Sequence, residues 1–120
     1  MTTAAQEVGA FGERLAERFL VERGMTILDR NWRCSHGELD LVARQGDCLV
    51  FCEVKTRRGT GFGEPVEAVS WRKAARLRRL AAAWLAGHGQ SAPDVRIDVV
   101  GILLRPGRPP IVRHIAGVGS

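Results

Sequence analysis

A chain of 120 residues with 45% hydrophobic and 26% charged residues has the size and composition of one globular domain. We expect that domain to span residues 1–120, with a loose tail over 116–120. No apolar run reaches the roughly 18 residues that a membrane helix needs, and the N-terminus lacks the layout of a signal peptide. We therefore expect a cytoplasmic protein without a membrane partner. The net charge of +5 weakly favours a polyanionic partner.

The spacing of apolar residues predicts two helices and several strands. The first helix carries one apolar stripe, and the second has Ser70 as the N-cap of its longer part. Three strands lie between the helices and are joined by short turns, which favours an antiparallel meander. The predicted helices span residues 3–24 and 66–86, and the predicted strands span 25–33, 38–44, 48–56, 94–104 and the short edge segment 111–115.

The three cysteines, Cys34, Cys48 and Cys52, are odd in number and form no CxxC pair. Their spacing matches no zinc signature, and a fourth ligand at a suitable spacing is missing. Because Cys48 and Cys52 flank a very apolar run, we expect buried, reduced thiols.

Two basic segments follow the third strand. Residues 57–65, RRGTGFGEP, contain a GxGxG pattern, but the third glycine is misplaced and no parallel βαβ unit surrounds it. This segment fits a phosphate-contacting loop and a plain connection equally well. In the second helix, five of the residues 72–79 are basic, and no acidic residue lies between 71 and 86. A solvated helix face is the ordinary interpretation, but the missing acidic residues favour a face that follows phosphates. The candidate nucleic-acid contacts are Arg57, Arg58, Arg72, Lys73, Arg76 and Arg79.

Costly charges interrupt the apolar residues 37–55, GELDLVARQGDCLVFCEVK. Side chains two apart on a strand share a face, so Glu38 should lie beside Asp40, and Glu53 beside Lys55. If the two strands pair across the turn, three carboxylates and one ammonium crowd together, and a divalent cation is the usual compensation. Oxygen ligands favour Mg²⁺ or Mn²⁺. The ordinary alternative is two strands with charges at their solvent ends.

The sequence resembles the PD-(D/E)xK nuclease superfamily and, within it, the YraN-type family of uncharacterised bacterial proteins. The matching segments are GERLAERFL, ILDRNWRCSHGELDLVA, LVFCEVKTRRGTGFGEPVEAV, Lys73 and RIDVVGI. The resemblance implies a single-domain α/β fold with a restriction-endonuclease-like αβββαβ core, in which helices flank a mixed central sheet. This sequence departs from the superfamily pattern at one position: Leu39 stands where a proline often precedes the first aspartate.

The resemblance also implies the roles of individual residues. Asp40 and Glu53 stand at the metal-binding positions, and Lys55 stands at the lysine that positions water. Helix geometry alone favours a surface role for Glu13, whereas the resemblance implies that it reaches the metal. Glu38 is either a further ligand or holds the turn. Lys73 matches the family pattern and could contact a substrate phosphate.

These implications lead us to expect a Mg²⁺-dependent or Mn²⁺-dependent endonuclease that acts on nucleic acid, with DNA favoured over RNA and branched or damaged structures as candidate substrates. A resolvase-like role would require a homodimer with two active sites. The alternatives are a nucleic-acid-binding module that does not cleave and a scaffold for a protein partner. Asp98 is either a structural residue at a strand end or a support of the site, and its position favours the structural role.

Overall fold

The computed structural model of the chain describes residues 3–59 and 70–118. Its elements follow the predicted order and differ from the predicted bounds by a residue or two wherever both can be compared. They are α1 (Ala4–Glu22), β1 (Thr26–Cys34), β2 (Gly37–Gln45), β3 (Cys48–Arg58), α2 (Trp71–His88), β4 (Asp94–Leu104) and β5 (Ile111–Ile115). The helix predicted over 66–69 and the loop predicted over 60–65 lie outside the described residues.

The five strands form one sheet in the order β1-β2-β3-β4-β5. The neighbouring strands are antiparallel except for β3 and β4, which are parallel from Cys48–Asp94 to Arg58–Leu104. A parallel pair needs a crossover connection, and α2 lies in the connection between these two strands. The predicted α/β fold, with a mixed central sheet flanked by helices, is confirmed.

Each helix covers one face of the sheet. Leu20 of α1 packs in a buried cluster with Val50 and Cys52 of β3, whereas Trp84 of α2 packs in a second cluster with Phe51. Because both faces of the first half of β3 are buried, residues 48–52 are continuously apolar instead of alternating with polar residues. All three cysteines are free, as predicted, but Cys34 and Cys48 are only half-buried.

Local hydrogen bonds fix the starts of both helices and the end of the described chain. Thr3 and Gln6 form a capping box at the start of α1, and the hydroxyl of Ser70, the predicted N-cap, accepts from the Lys73 backbone at 3.2 Å. The Val118 backbone donates to the Ile97 carbonyl at 2.8 Å. This hydrogen bond ties residue 118 to β4, and the loose tail over 116–120 stays a prediction.

Helix α1 lies so close to β3 that only glycine fits at position 12. A Cβ atom there would overlap the Thr56 hydroxyl, whereas a Cβ at Gly9 has nothing within 4 Å. We expect Gly12→Ala to lower the free energy of unfolding by about 1–3 kcal/mol through overpacking. Gly9→Ala, the matched control in the same helix, should raise it by up to about 1 kcal/mol. Urea denaturation measures both, and a stabilised Gly12→Ala variant would contradict the close packing.

Candidate metal centre

The centre lies where β2 separates from β3. The paired residues of these strands end at Leu41 and Cys52. Beyond them, the Val54 backbone donates to Oδ2 of Asp40 at 2.7 Å, so a side-chain carboxylate accepts where a strand carbonyl would otherwise do so. Leu39 packs in the cluster beneath α2 and Leu41 in the cluster beneath α1. Leu39 and Leu41 therefore lie on opposite faces of the sheet, although they are two residues apart. The regular alternation of side chains, on which we based a shared face for Glu38 and Asp40, is interrupted at Asp40.

Asp40 lies in an environment that resists ionisation. Burial raises its pKa from 3.8 to about 7, against the opposing effect of the Val54 hydrogen bond. The negative charges of Glu13, Glu53 and Glu38 raise the pKa further. The structure thus brings all four predicted acidic residues into electrostatic contact, although they come from α1, β2 and β3. A nearby cation would relieve this repulsion and favour the ionised form of Asp40.

Glu53 has one paired and one unpaired oxygen. Its side chain is 13% exposed, and Oε1 lies 3.2 Å from Lys73 Nζ and 4.0 Å from an Arg76 nitrogen. Oε2 is buried and has no hydrogen-bond partner. A buried oxygen without a partner is unfavourable, and a carboxylate oxygen can be satisfied by a cation as well as by a donor. This atom is therefore the clearest local indication of a ligand.

Lys55 lies next to a second lysine. The neighbouring Lys73 is the largest cause of a lowered pKa of Lys55, and burial lowers it further, while Glu53 and Asp40 oppose the effect. The side chain of Lys73 is only 18% exposed. Lys73 therefore belongs to the centre itself, where it pairs with Glu53, and not to the outer surface of α2.

Glu13 and Glu38 are joined by a residue that the sequence analysis missed. With its amide nitrogen turned toward the carboxylates, Asn31 donates to Oε1 of Glu13 at 3.2 Å and to Oε1 of Glu38 at 3.1 Å. Burial and the charge of Glu38 raise the pKa of Glu13, and the Asn31 hydrogen bond lowers it. Glu13 is half-buried, so the surface role that helix geometry favoured is wrong. Asn31 has a φ of 50°, which asparagine tolerates better than most residues, but the sequence carries no other signal for it.

The remaining predicted contacts lie outside this cluster. Arg57 and Arg58 are exposed at the end of β3, and Arg72 and Arg79 are exposed on α2. Arg76 connects the two regions, because its side chain is 46% exposed and still reaches Glu53. The cations of α2 therefore extend from the buried centre to the solvent.

The donors fit a hard divalent cation by their chemistry. Glu13, Asp40 and Glu53 supply only oxygen, which Mg²⁺ and Mn²⁺ prefer, and Oε2 of Glu53 lacks a partner. Within residues 3–59 and 70–118, however, no three His, Cys, Asp or Glu side chains are grouped closely enough to hold a metal ion. The centre thus contains suitable ligands in one neighbourhood without a closed ligand set.

The fold and this cluster define a mixed α/β protein with an acidic centre at the divergence of two strands. Residues 12–102 match the model of the Uncharacterised protein family UPF0102, and the chain belongs to that family. A UPF0102 protein of Kineococcus radiotolerans is 57% identical over 116 residues, covering 96% of this chain and 95% of the relative. A UPF0102 protein of Beutenbergia cavernae is 55% identical over 116 residues, with coverages of 97% and 98%.

The comparisons support the family and no more than the family. The relatives' names state no activity, so membership of the nuclease superfamily stays a prediction. No helix among the described residues is long and apolar enough to cross a membrane.

Proposed function

We propose that this protein is a Mg²⁺-dependent or Mn²⁺-dependent endonuclease that hydrolyses phosphodiester bonds in DNA. The observation that carries the proposal is the meeting of Asp40, Glu53 and Lys55 where β2 separates from β3, with one buried Glu53 oxygen unpartnered. Carboxylates beside a lysine of lowered pKa can hold a cation and act on water in the same small volume.

The acidic residues would hold the metal ion. Asp40 and Glu53 are the principal ligands in this proposal, and Glu13 reaches the same neighbourhood from α1. A bound divalent ion stabilises the negative charge that develops on phosphate and makes water a better nucleophile. Glu38, paired with Arg33 at 3.4 Å and joined to Glu13 through Asn31, supports the ligands from the side.

The basic residues act on water and on substrate. Lys55 orients the attacking water and helps to deprotonate it. The water oxygen bonds to phosphorus as the bond from phosphorus to the leaving sugar oxygen breaks. Lys73 and Arg76 neutralise phosphate charge next to Glu53. Four arginines, Arg57, Arg58, Arg72 and Arg79, bind flanking phosphates without reading sequence.

A second candidate function is favoured by the pairing of Glu53 with Lys73. That contact, 3.2 Å long, compensates the carboxylate without a metal ion, as a non-catalytic nucleic-acid-binding module would require. Such a protein would keep the basic surface of α2 and bind nucleic acid in EDTA as well as in Mg²⁺.

Incubation with a panel of nucleic acids separates the two functions. Purified protein is mixed with single-stranded, duplex, forked and four-way-junction DNA and with matching RNA, in Mg²⁺, Mn²⁺ or EDTA. We expect cleavage of at least one DNA substrate, lost in EDTA and restored by excess Mg²⁺. Symmetrical cleavage of a junction would require two copies of the chain, which light scattering of the complex detects. Salt-sensitive binding without cleavage of any substrate would refute the nuclease and establish the binding module.

A further inference from the structure

A groove separate from the acidic centre lies between α1 and the ends of β3 and β4. Its cavity has a volume of about 580 Å³, within the range of binding sites for small molecules. Phe11, Arg58, Arg105 and Arg108 line it, together with apolar residues such as Leu104. Apart from Arg58, none of these residues has a role in the centre described above.

The groove is positively charged and holds an unsatisfied donor. Three arginines line the groove, and Glu7 is the one acidic residue among the described residues that line it. An Arg105 terminal nitrogen donates to the Pro109 carbonyl at 2.9 Å, while its Nε is buried and has no partner. The Arg108 backbone donates to the Arg105 carbonyl at 3.2 Å, so both arginines belong to one hydrogen-bonded turn. A buried donor without an acceptor is unfavourable. The exposed Arg58 and Arg108 of the same groove can pair with an anion through charge-assisted hydrogen bonds.

An aromatic ring lies on the same groove. Phe11 is 40% exposed, and the Arg14 guanidinium lies 5.8 Å from its ring centroid. A single exposed phenylalanine is common on protein surfaces, but this one lies among arginines. Basic grooves with exposed aromatic rings bind single-stranded nucleic acid, because bases stack on the ring while phosphates pair with the cations. A duplex keeps its bases paired inside and cannot stack one on Phe11.

The groove continues to the candidate metal centre. A neighbouring cavity of about 350 Å³ shares Val8 and Arg58 with the first and is also lined by Glu13. Glu13 in turn lies in electrostatic contact with Asp40. The two cavities therefore form a path from Asp40 past Glu13 to Arg108. A single strand of nucleic acid could pass through the acidic centre and continue along α1 on this path.

We infer that this groove binds a single-stranded segment of nucleic acid next to the bond to be cleaved, with a base on Phe11 and a phosphate among Arg58, Arg105 and Arg108. The inference rests on the proposed nucleic-acid function and adds to it the form of the substrate: a structure with a single-stranded arm beside the cleavage point. Branched and damaged DNA can provide such an arm, whereas intact duplex cannot.

Binding measurements in EDTA test the groove without interference from cleavage. Fluorescence anisotropy follows a labelled short oligothymidylate and a duplex of equal length. We expect Phe11→Leu to weaken single-strand binding by about 10-fold, as for the loss of one stacked base, and to change duplex binding by less than about 2-fold. Arg108→Gln should weaken single-strand binding and reduce the salt dependence by about one phosphate contact. The control is Arg44→Gln, an exposed arginine beside the β2–β3 turn, which should bind as wild type.

The outcomes separate this inference from the proposed function. If wild-type protein binds and cleaves DNA while Phe11→Leu and Arg108→Gln bind the single strand normally, the groove is refuted and the nuclease stands. Equal losses for single strand and duplex would also refute it, since they would reflect general charge. Equally effective competition by polyglutamate would mean that the groove takes an acidic peptide instead. Wild-type protein that binds neither nucleic acid overturns both proposals.

Discussion

Asp40→Asn is expected to reduce DNA cleavage by at least about 100-fold and, at the same time, to stabilise the fold. The loss of activity follows from removing a charged group that acts at the reacting phosphate, for which losses of this size are typical. The gain in stability follows from the position of the carboxylate, which is half-buried beside three other acidic residues. Asparagine keeps an oxygen that can accept from the Val54 backbone and carries no charge.

The sign of the stability effect depends on pH. The pKa of Asp40 rises from 3.8 to about 7 in the folded protein, so the folded state binds this proton more tightly than the unfolded state. The free energy of unfolding therefore falls as pH rises from about 4 to about 7, by at most about 4 kcal/mol. Asp40→Asn removes this loss, and we expect a Tm gain of about 5–10 °C near pH 8. The Tm values of variant and wild type should converge at acidic pH.

Asp47→Asn is the matched control, because it makes the same chemical change at an exposed turn position. Its Tm and cleavage rate should equal those of wild type. Added Mn²⁺ should raise the Tm of wild type and of Asp47→Asn but not of Asp40→Asn. Cleavage that persists in Asp40→Asn would refute the proposed catalytic centre, and a lowered Tm at alkaline pH would refute the electrostatic account.

Asp98→Asn is expected to lower the free energy of unfolding by about 3–5 kcal/mol, because it leaves a buried cation network without its anion. Asp98 is 0% exposed. Arg96 donates to both of its oxygens at 2.8 Å, and His114 Nε2 lies 2.7 Å from Oδ2. The Gly117 backbone donates to Oδ1 at 3.1 Å. One carboxylate thus ties β5 and the residues after it to β4, which supports the structural role over the catalytic one.

The pH dependence of the free energy of unfolding tests the hydrogen-bond network around Asp98. Burial opposes ionisation of Asp98, but the hydrogen bonds from Arg96, His114 and Gly117 outweigh it and lower the pKa below 3.8. Its contribution to stability is therefore complete above about pH 4 and is lost as pH falls through the lowered pKa. Chemical denaturation should show wild type and Asp98→Asn converging at strongly acidic pH. Asp94→Asn, exposed at the start of the same strand, is the control and should leave stability unchanged.

Cleavage per folded molecule provides the remaining check on Asp98. A purely structural residue leaves this rate unchanged at a temperature where Asp98→Asn is still folded. A large loss of rate in fully folded Asp98→Asn would instead make it a support of the catalytic centre.

Local patterns were sufficient to predict the elements and the principal acidic residues. The three-residue and four-residue spacing of α1, the N-cap at Ser70 and the short turns between strands depend on neighbours in sequence, and the structure contains all of them. Asp40 and Glu53 could be selected because charges within apolar strands are costly wherever those strands pack. The regular alternation predicted for Glu38 and Asp40 failed, because it assumed that β2 continues beside β3.

The organisation of the centre depends on contacts that sequence spacing does not reveal. The separation of β2 from β3 lets the Asp40 carboxylate accept from Val54, a residue 14 positions away. The contact between Asn31 and Glu13 depends on how α1 packs against β1, and the position of Lys73 beside Lys55 depends on how α2 crosses the sheet. Burial by these helices also determines the pKa values of Asp40 and Lys55.

The order of the helices and strands, and the costly charges within the apolar strands, could be read from the amino-acid sequence of this chain. The excess of arginine is also visible in the sequence, because amino-acid composition does not depend on the fold. Three features became visible only in the folded chain: Glu13 is half-buried, Lys73 pairs with Glu53, and the Nε donor of Arg105 is buried. Burial and charge pairing depend on residues that are distant in sequence and close in the fold. Near the point where β2 separates from β3, Glu13 of α1 lies close to Asp40, and Lys73 of α2 pairs with Glu53.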